Sequence, residues 1–213
     1  IEGPRSREAL RGRLEDEDGL VRGAAAGALL YRVVMRMDEP ADVVERVRAA
    51  DDETRRGAAA VLGQLVATSG AVPGETERDR EEVQAWVLAL ADEFDPAECA
   101  WVRLRARTLV HLGRAGEAAA VLRSALDRFP GDPDLLLQRS IVAEASGDAR
   151  AAIEDVVASI AGDRRRGATW GRLGDLREAA GDLQASSAAR FARWLLDPDD
   201  LDAFREAIEG QLA

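Results

Sequence analysis

Few residues in this chain have side chains suited to catalysis or metal binding. His111 is the only histidine and Cys99 the only cysteine among 213 residues. One cysteine cannot form an internal disulfide or a cysteine-rich zinc site, and one histidine cannot build a histidine-based metal cluster. No nucleophile motif accompanies His111, and no glycine-rich phosphate loop is present. We therefore predict no catalytic residue, no metal site and no cofactor, and interpret His111 as a helix residue near a turn.

Acidic runs are the remaining candidates for ion binding. They lie at residues 15–18, 51–53 and 197–200. None of them has the alternating oxygen ligands of a calcium loop. Carboxylates at the start of a helix accept hydrogen bonds from free backbone N–H groups and suit the helix dipole. We interpret these runs as helix caps and solvated surface.

The composition restricts the partners that this chain can bind. The formal net charge is −11, and all 29 basic residues are arginine. An acidic surface disfavours nucleic acid and anionic membranes, and no apolar run approaches the roughly 20 residues of a membrane span. The absence of lysine and asparagine is typical of a GC-rich genome and indicates a bacterial source. Because Ile1 opens the chain without methionine, we interpret it as a fragment or processed form; the cytoplasm is favoured, and the oligomeric state is left open.

A 34-residue period organises the C-terminal half of the chain. Glycines recur on this period at Gly113, Gly147 and Gly181. Five residues after each glycine comes a small residue, at Ala118, Ala152 and Ser186. Two helices of about 14 residues joined by short turns occupy about 34 residues. The period predicts antiparallel helix pairs that turn at the glycines, with the small residues buried where the helices cross.

The third of these units resembles a tetratricopeptide repeat. Trp170-x-x-Leu173-Gly174 is similar to the opening of that family's motif, and Gly181, Ser186 and Pro198 follow at the family's spacing. The units at 99–132 and 133–166 keep the glycine and the alanine, but Arg105 and Arg139 stand in the leucine position. The resemblance implies three helix pairs over residues 99–200. It favours core packing for Trp170 and leaves Trp86, Trp101 and Trp194 between core packing and partner binding.

The N-terminal half resembles a different family. Residues 14–29 are similar to a HEAT-type repeat, in which an acidic turn precedes Val-Arg and an alanine-rich helix; residues 51–60 repeat the pattern without the valine. Arg22 and Arg56 are predicted to pair with acids of neighbouring turns. A helix is predicted over 80–94 after a loop at 69–79, where the two halves meet. An apolar stripe at Leu201, Phe204 and Ile208 predicts a final capping helix.

Together these patterns predict an all-α fold, a right-handed α-solenoid of antiparallel helix pairs, HEAT-like and then tetratricopeptide-like. The predicted organisation is HEAT-like repeats over 1–72, a linker and joining helix over 73–98, three tetratricopeptide-like repeats over 99–200 and a capping helix over 201–213.

The tetratricopeptide resemblance also implies a binding surface. In that family the first helix of each pair lines a concave groove, where some chaperone-binding members clamp the C-terminal carboxylate of a partner with basic and amide side chains. Matched residue by residue, the clamp falls on Arg103, Arg107, Gln138, Ala168 and Arg172. Three of these depart from the family: Arg103 and Ala168 each replace a lysine, and Arg107 replaces an asparagine. Arginine binds carboxylates through two parallel N–H donors. The alternative is that these arginines form a solvated surface.

These observations predict a protein–protein interaction module, an adaptor or scaffold that binds a protein or peptide through the concave groove and is not an enzyme. The expected partner is acidic or carries a free carboxylate. Two alternatives stay open. One is a HEAT-like enzyme or enzyme accessory, of the kind found among phycobilin lyases and alkylpurine DNA glycosylases. The other is a regulatory fragment of a larger protein.

Overall fold

The computed structural model describes residues 4–34, 40–68, 77–94 and 98–198, and over these residues the chain is all-helical. Six helices precede Gly113: α1 Pro4–Arg13, α2 Gly19–Val34, α3 Pro40–Ala49, α4 Asp52–Thr68, α5 Glu77–Asp92 and α6 Cys99–His111. Five follow it: α7 Ala115–Arg128, α8 Pro133–Ala145, α9 Ala149–Gly162, α10 Gly167–Ala179 and α11 Leu183–Leu196. The described residues contain no strand, in agreement with the predicted fold class.

The chain forms two compact units, residues 1–118 and 119–213. Their boundary lies inside α7, whereas the boundary expected from the sequence, at 69–79, rested on the loop-like composition of those residues. Residues 69–76 and the expected capping helix lie outside the described residues, and residues 77–79 belong to α5. The division into HEAT-like repeats, linker, tetratricopeptide-like repeats and cap stays a prediction.

In the first unit, α2 and α4 pack side by side in the 34-residue register. Gly23 faces Gly57, and a Cβ atom added at Gly23 would lie 2.8 Å from the Cα atom of Gly57. Gly27 faces Val61 in the same register. A methyl group at Gly23 would meet backbone, which cannot move aside as a flexible side chain can. The two glycines therefore permit the close approach of these helices.

Arg22 links the turn before α2 to the start of α4. Its guanidinium donates to the Asp51 carboxylate and to the Thr54 hydroxyl, both at 3.1 Å. It also donates to the carbonyl oxygens of Asp16 and Glu17, at 2.8 and 2.9 Å. The pairing predicted for Arg22 is thus confirmed. A hydrogen bond from the Thr54 backbone N–H is the main reason that the pKa of Asp51 is lowered.

The core of the first unit is aliphatic except at one aromatic pair. Leu29, Leu30 and Leu62 are fully buried between α2 and α4. Trp101 of α6 is 1% exposed and stacks on Phe94, with ring centroids 3.6 Å apart and planes 2° from parallel. Trp101 is therefore a core residue rather than a partner-binding aromatic.

In the second unit, α8 pairs with α9, α10 pairs with α11, and α9 packs on α10. Gly147 and Gly181 have φ angles of 81° and 79°, in the left-handed region that glycine adopts without strain. The following residues, Asp148 and Asp182, accept hydrogen bonds from backbone N–H groups at the start of α9 and α11, at 3.0 and 3.1 Å. The predicted turns are confirmed, and each ends one helix and caps the next.

The small residues after these turns are buried, as predicted. Ala118 and Ala152 are 0% exposed and Ser186 is 1% exposed. Arg139, which stands in the family's leucine position, forms a two-pronged ion pair with Asp155 of α9, at 2.8 and 2.5 Å. A hydrogen-bonded pair between α8 and α9 thus occupies a position where the family has an apolar side chain, and it raises the pKa of Arg139.

We predict that Gly23→Ala lowers the free energy of unfolding by about 1–3 kcal/mol, because the methyl group overpacks the crossing against the Gly57 backbone. Gly12→Ala is the matched control, since a Cβ atom at Gly12 meets nothing within 4 Å. It should be neutral or stabilising by up to about 1 kcal/mol, because alanine favours helix. Urea unfolding followed by circular dichroism measures both variants. A wild-type value for Gly23→Ala would contradict the close crossing.

Candidate partner-binding surface

Two of the predicted binding residues lie on α6, in the first unit. Arg103 and Arg107 are one helical turn apart and half-buried. Helix α6 packs on α4, where Gly63 lies beside Arg107: a Cβ atom at Gly63 would be 3.8 Å from the Nη1 atom of Arg107. The guanidinium therefore lies next to a position of α4 that carries no side chain.

Arg107 differs from its neighbours because its charge is not balanced by an ion pair. Among the described residues it has neither a carboxylate within ion-pair distance nor a hydrogen bond. Arg105, on the same helix, forms an ion pair with the Asp92 carboxylate at 2.7 Å and donates to the Ala91 carbonyl oxygen at 3.1 Å. Arginine stays protonated in proteins. The structure thus has an uncompensated, half-buried cation at Arg107.

The charge of Arg107 acts on the single histidine. His111 is exposed at the end of α6, one turn after Arg107. Its pKa is lowered from 6.5, first by partial burial and second by the positive charge of Arg107. His111 is therefore a helix residue beside a turn, as predicted, and it is neutral at pH 7.

Gln138 lies on α8, in the second unit, and is 7% exposed. Its amide nitrogen Nε2 is buried and has no hydrogen-bond acceptor among the described residues. Because buried donors nearly always have an acceptor, a water or an oxygen of a partner is expected at this nitrogen.

Arg172 lies on α10 and is paired. Its Nε atom donates to the Ser140 hydroxyl at 3.0 Å, and its Nη2 atom donates to the Glu144 carboxylate at 2.9 Å. Both acceptors belong to α8, so Arg172 links the first helices of two successive pairs. Glu144 also balances its charge. Ala168, at the start of α10, is exposed.

The structure therefore brings some of the predicted residues together. Arg103 and Arg107 share one face of α6, and Arg172 lies against α8. The first pair belongs to the first unit, and Gln138 and Arg172 belong to the second, so the convergence of all four on one surface stays a prediction. Glu144 was not among the residues predicted from the sequence. The 34-residue period could have identified it, because Glu144 of α8 is equivalent to Glu178 in the last turn of α10.

Metal sites and membrane spans are not found in the described part of the chain. Within those residues, no group of three or more His, Cys, Asp or Glu side chains is placed to hold a metal ion. In the same residues, no helix combines the length and apolarity needed to cross a bilayer.

Comparisons with known proteins match this architecture. The sequence model described as tetratricopeptide repeat matches residues 100–142, which include α6, α7 and most of α8. Among solved structures, TTC0263, a thermophilic TPR protein of Thermus thermophilus, matches with a TM-score of 0.60 and 20% identity, over 98% of this chain and 97% of that one.

Residues 100–142 thus match a tetratricopeptide repeat, and the chain has the fold of tetratricopeptide solenoids.

Other solved structures share this fold. MamA matches with a TM-score of 0.51 and 16% identity, over 70% of this chain and 84% of that one. A chain of the APC/C hetero-tetramer Cut9–Hcn1 matches with a TM-score of 0.54 and 15% identity, over 98% of this chain and 39% of that one. No curated protein matches the sequence significantly.

These comparisons confirm the predicted fold class, an all-α solenoid, and the tetratricopeptide resemblance. At the level of the family, tetratricopeptide proteins are protein-interaction scaffolds and are generally not enzymes. The HEAT-like interpretation of the N-terminal half is not confirmed and stays a prediction.

We predict that Arg107→Gln raises the pKa of His111, because the variant removes the repulsion between the guanidinium and the protonated imidazole. The value should stay below 6.5, since partial burial is the larger cause of the shift. NMR titration of the His111 Hε1 signal measures this without overlap, because the chain has one histidine. Arg123→Gln is the charge-matched control: Arg123 is exposed on α7. An unchanged pKa in Arg107→Gln would show that the two groups do not interact.

The same shift has a consequence for stability. Because the folded-state pKa of His111 is lowered, the unfolded chain binds a proton more readily than the folded one. The contribution of His111 to stability is therefore present above pH 6.5 and is lost as the pH falls from 6.5 through the folded-state pKa.

Proposed function

We propose that this tetratricopeptide-like protein is an interaction module, an adaptor or scaffold, that binds an acidic or carboxylate-bearing segment of a protein partner and does not catalyse a reaction. The observation that carries the proposal is the uncompensated, half-buried guanidinium of Arg107. A buried or half-buried charge is costly unless a counter-charge or hydrogen bonds stabilise it. A carboxylate of a partner would supply both.

The surroundings of Arg107 favour such a ligand. Gly63 leaves room beside the guanidinium, and Arg103 adds a second cation one turn earlier. The guanidinium presents N–H donors in a fixed plane, which suits the two oxygens of a carboxylate. Partial burial holds the side chain before the partner arrives, so less conformational entropy is lost on binding than at a fully exposed arginine.

In this proposal, Gln138 and Arg172 of the second unit contribute less to partner binding than Arg107. Arg172 is already paired with Glu144, so it would contribute hydrogen bonds rather than net charge. Gln138 would donate from its unsatisfied amide nitrogen to a carbonyl oxygen of the partner. Arg107 is therefore the residue whose replacement should weaken binding most.

A peptide titration tests this function. The probe is an N-terminally capped penta-glutamate peptide with a free C-terminal carboxylate, and the control probe is its penta-glutamine amide. We expect the glutamate peptide to shift the His111 Hε1 signal and to raise the His111 pKa, because a bound carboxylate cancels the field of Arg107. Affinity should fall as salt rises from 50 to 300 mM, since screening acts over about 8–10 Å near physiological ionic strength.

The variants separate this site from general charge attraction. Arg107→Gln should weaken binding about 10-fold, which corresponds to about 1.4 kcal/mol. Arg123→Gln makes the same change of charge at an exposed site and should leave the affinity unchanged within about twofold, a difference of about 0.4 kcal/mol. Equal weakening by both variants, or equal binding of the glutamine amide, would refute the proposed site.

A further inference from the structure

A second surface of the first unit includes no residue of α6. It is an open cleft of about 340 Å³ between α3 and α5, beside the last residues of α2. Its walls are apolar, formed by Val33 and Val34 of α2, Val44 of α3 and Leu90 of α5. Apolar walls of this kind favour burial of an aliphatic chain, at about 25 cal/mol per Å² of apolar surface removed from water.

The rim of the cleft is charged and aromatic. Arg48 of α3 and Glu93 after α5 form an ion pair at 2.8 Å. Glu45 is exposed on α3 and has no ion-pair partner among the described residues. Trp86 of α5 is 39% exposed, which is high for the largest apolar side chain. One unpaired carboxylate therefore lies at the mouth of an apolar cleft that a tryptophan also lines.

Three classes of occupant can be compared by their chemistry. A purely apolar side chain would remove water from Glu45 without replacing its hydrogen bonds, which carries a desolvation cost. An anionic group would be repelled by the Glu45 carboxylate at the mouth of this cleft. A side chain with an aliphatic stem and a cationic end matches the valines, the tryptophan and the carboxylate together.

We propose that this cleft binds an arginine side chain of a basic protein segment. The three methylene groups of the arginine pack on Val44 and Leu90, and the guanidinium lies against the face of Trp86 and donates to Glu45. The Arg48–Glu93 pair, one turn of α3 from Glu45, shows the same guanidinium–carboxylate contact on this rim. Arginine is favoured over lysine because its planar cation stacks on an aromatic ring and pairs with both carboxylate oxygens.

This inference is independent of the function proposed for Arg107. That surface is expected to bind acidic segments, and this cleft is expected to bind basic ones. Binding at the two sites is detected by different NMR signals. The His111 Hε1 signal detects binding beside Arg107, and the Trp86 indole N–H signal detects binding in the cleft. Failure of one proposal therefore leaves the other intact.

The test uses the full chain labelled with ¹⁵N and the capped peptide acetyl-Gly-Ala-Arg-Ala-Gly-amide. The chain has four tryptophans, and a Trp86→Phe variant assigns the Trp86 indole signal. We expect the peptide to shift this signal in a saturable manner. The same peptide with citrulline in place of arginine has the same shape without charge, and it should bind at least 10-fold more weakly.

Two variants assign the contact. Glu45→Gln should weaken binding of the arginine peptide at least fivefold. Glu81→Gln is the matched control, because Glu81 is exposed on α5 and does not line the cleft; it should have no effect. The proposal is overturned by equal binding of the citrulline peptide, which would indicate an apolar site, or by equal effects of the two variants. A Trp86 shift that depends on protein concentration alone would overturn it in favour of a second copy of this chain.

Discussion

The backbones of α2 and α4 touch at Gly23 and Gly57, and the arrangement of the first unit follows from this contact. Once these two positions face each other, the residues on the contacting face of α2 lie opposite residues 34 positions later in α4. Gly27 then meets Val61, and Arg22 reaches the Asp51 carboxylate. A bulkier residue at the crossing would separate the helices and lengthen each of these contacts. Packing between successive repeats is therefore set by the absence of side chains at two positions.

A glycine also leaves space between helices at the candidate binding surface. Gly63 of α4 leaves space next to α6, and the guanidinium of Arg107 lies beside it. A side chain at position 63 would compete with the arginine for this space. The glycines of α4 thus have two effects: one lets α4 approach α2, and the other leaves a cation accessible on α6.

Ion pairs distinguish the arginines that hold neighbouring helices together from those that could bind a partner. Arg22, Arg105, Arg139 and Arg172 each contact a carboxylate of another helix or turn. Exposed ion pairs contribute little to stability, typically about 0–1 kcal/mol, so their main effect here is to fix the register of neighbouring helices. In an acidic chain rich in arginine, a half-buried arginine without a counter-charge among the described residues is informative. On α6 that residue is Arg107.

The sequence predicted features that depend on local backbone geometry. It did not predict contacts between side chains that are distant in the sequence. The turns at Gly147 and Gly181 follow from a positive φ angle and a fixed period, both of which can be inferred from spacing alone. The burial of Ala152 follows from the same period. The pairing of an arginine cannot be inferred in this way. Arg172 stands at a clamp position without a departure and Arg107 replaces the family's asparagine, but neither match shows that Arg172 pairs with Glu144 of a neighbouring helix.

Two further features lay beyond the sequence patterns for related reasons. Trp101 is one residue out of register with the family's tryptophan. Its ring is buried against Phe94, which lies two residues after the end of α5. The cleft around Trp86 needs side chains from three helices, and each helix shows only a short apolar stripe on its own. Periodicity predicts which face of a helix is buried but not which gaps remain when the helices pack.

A double-mutant cycle at the glycine crossing tests the account most directly. The free energy of unfolding is measured for the wild type, Gly23→Ala, Gly57→Ala and the double variant. If the two backbones touch, the first methyl group separates the helices and the second enters space already opened. The double variant should then lose less stability than the two single losses together, by about 0.5–3 kcal/mol. Additive losses would mean that the two glycines do not meet, and would contradict the 34-residue packing register.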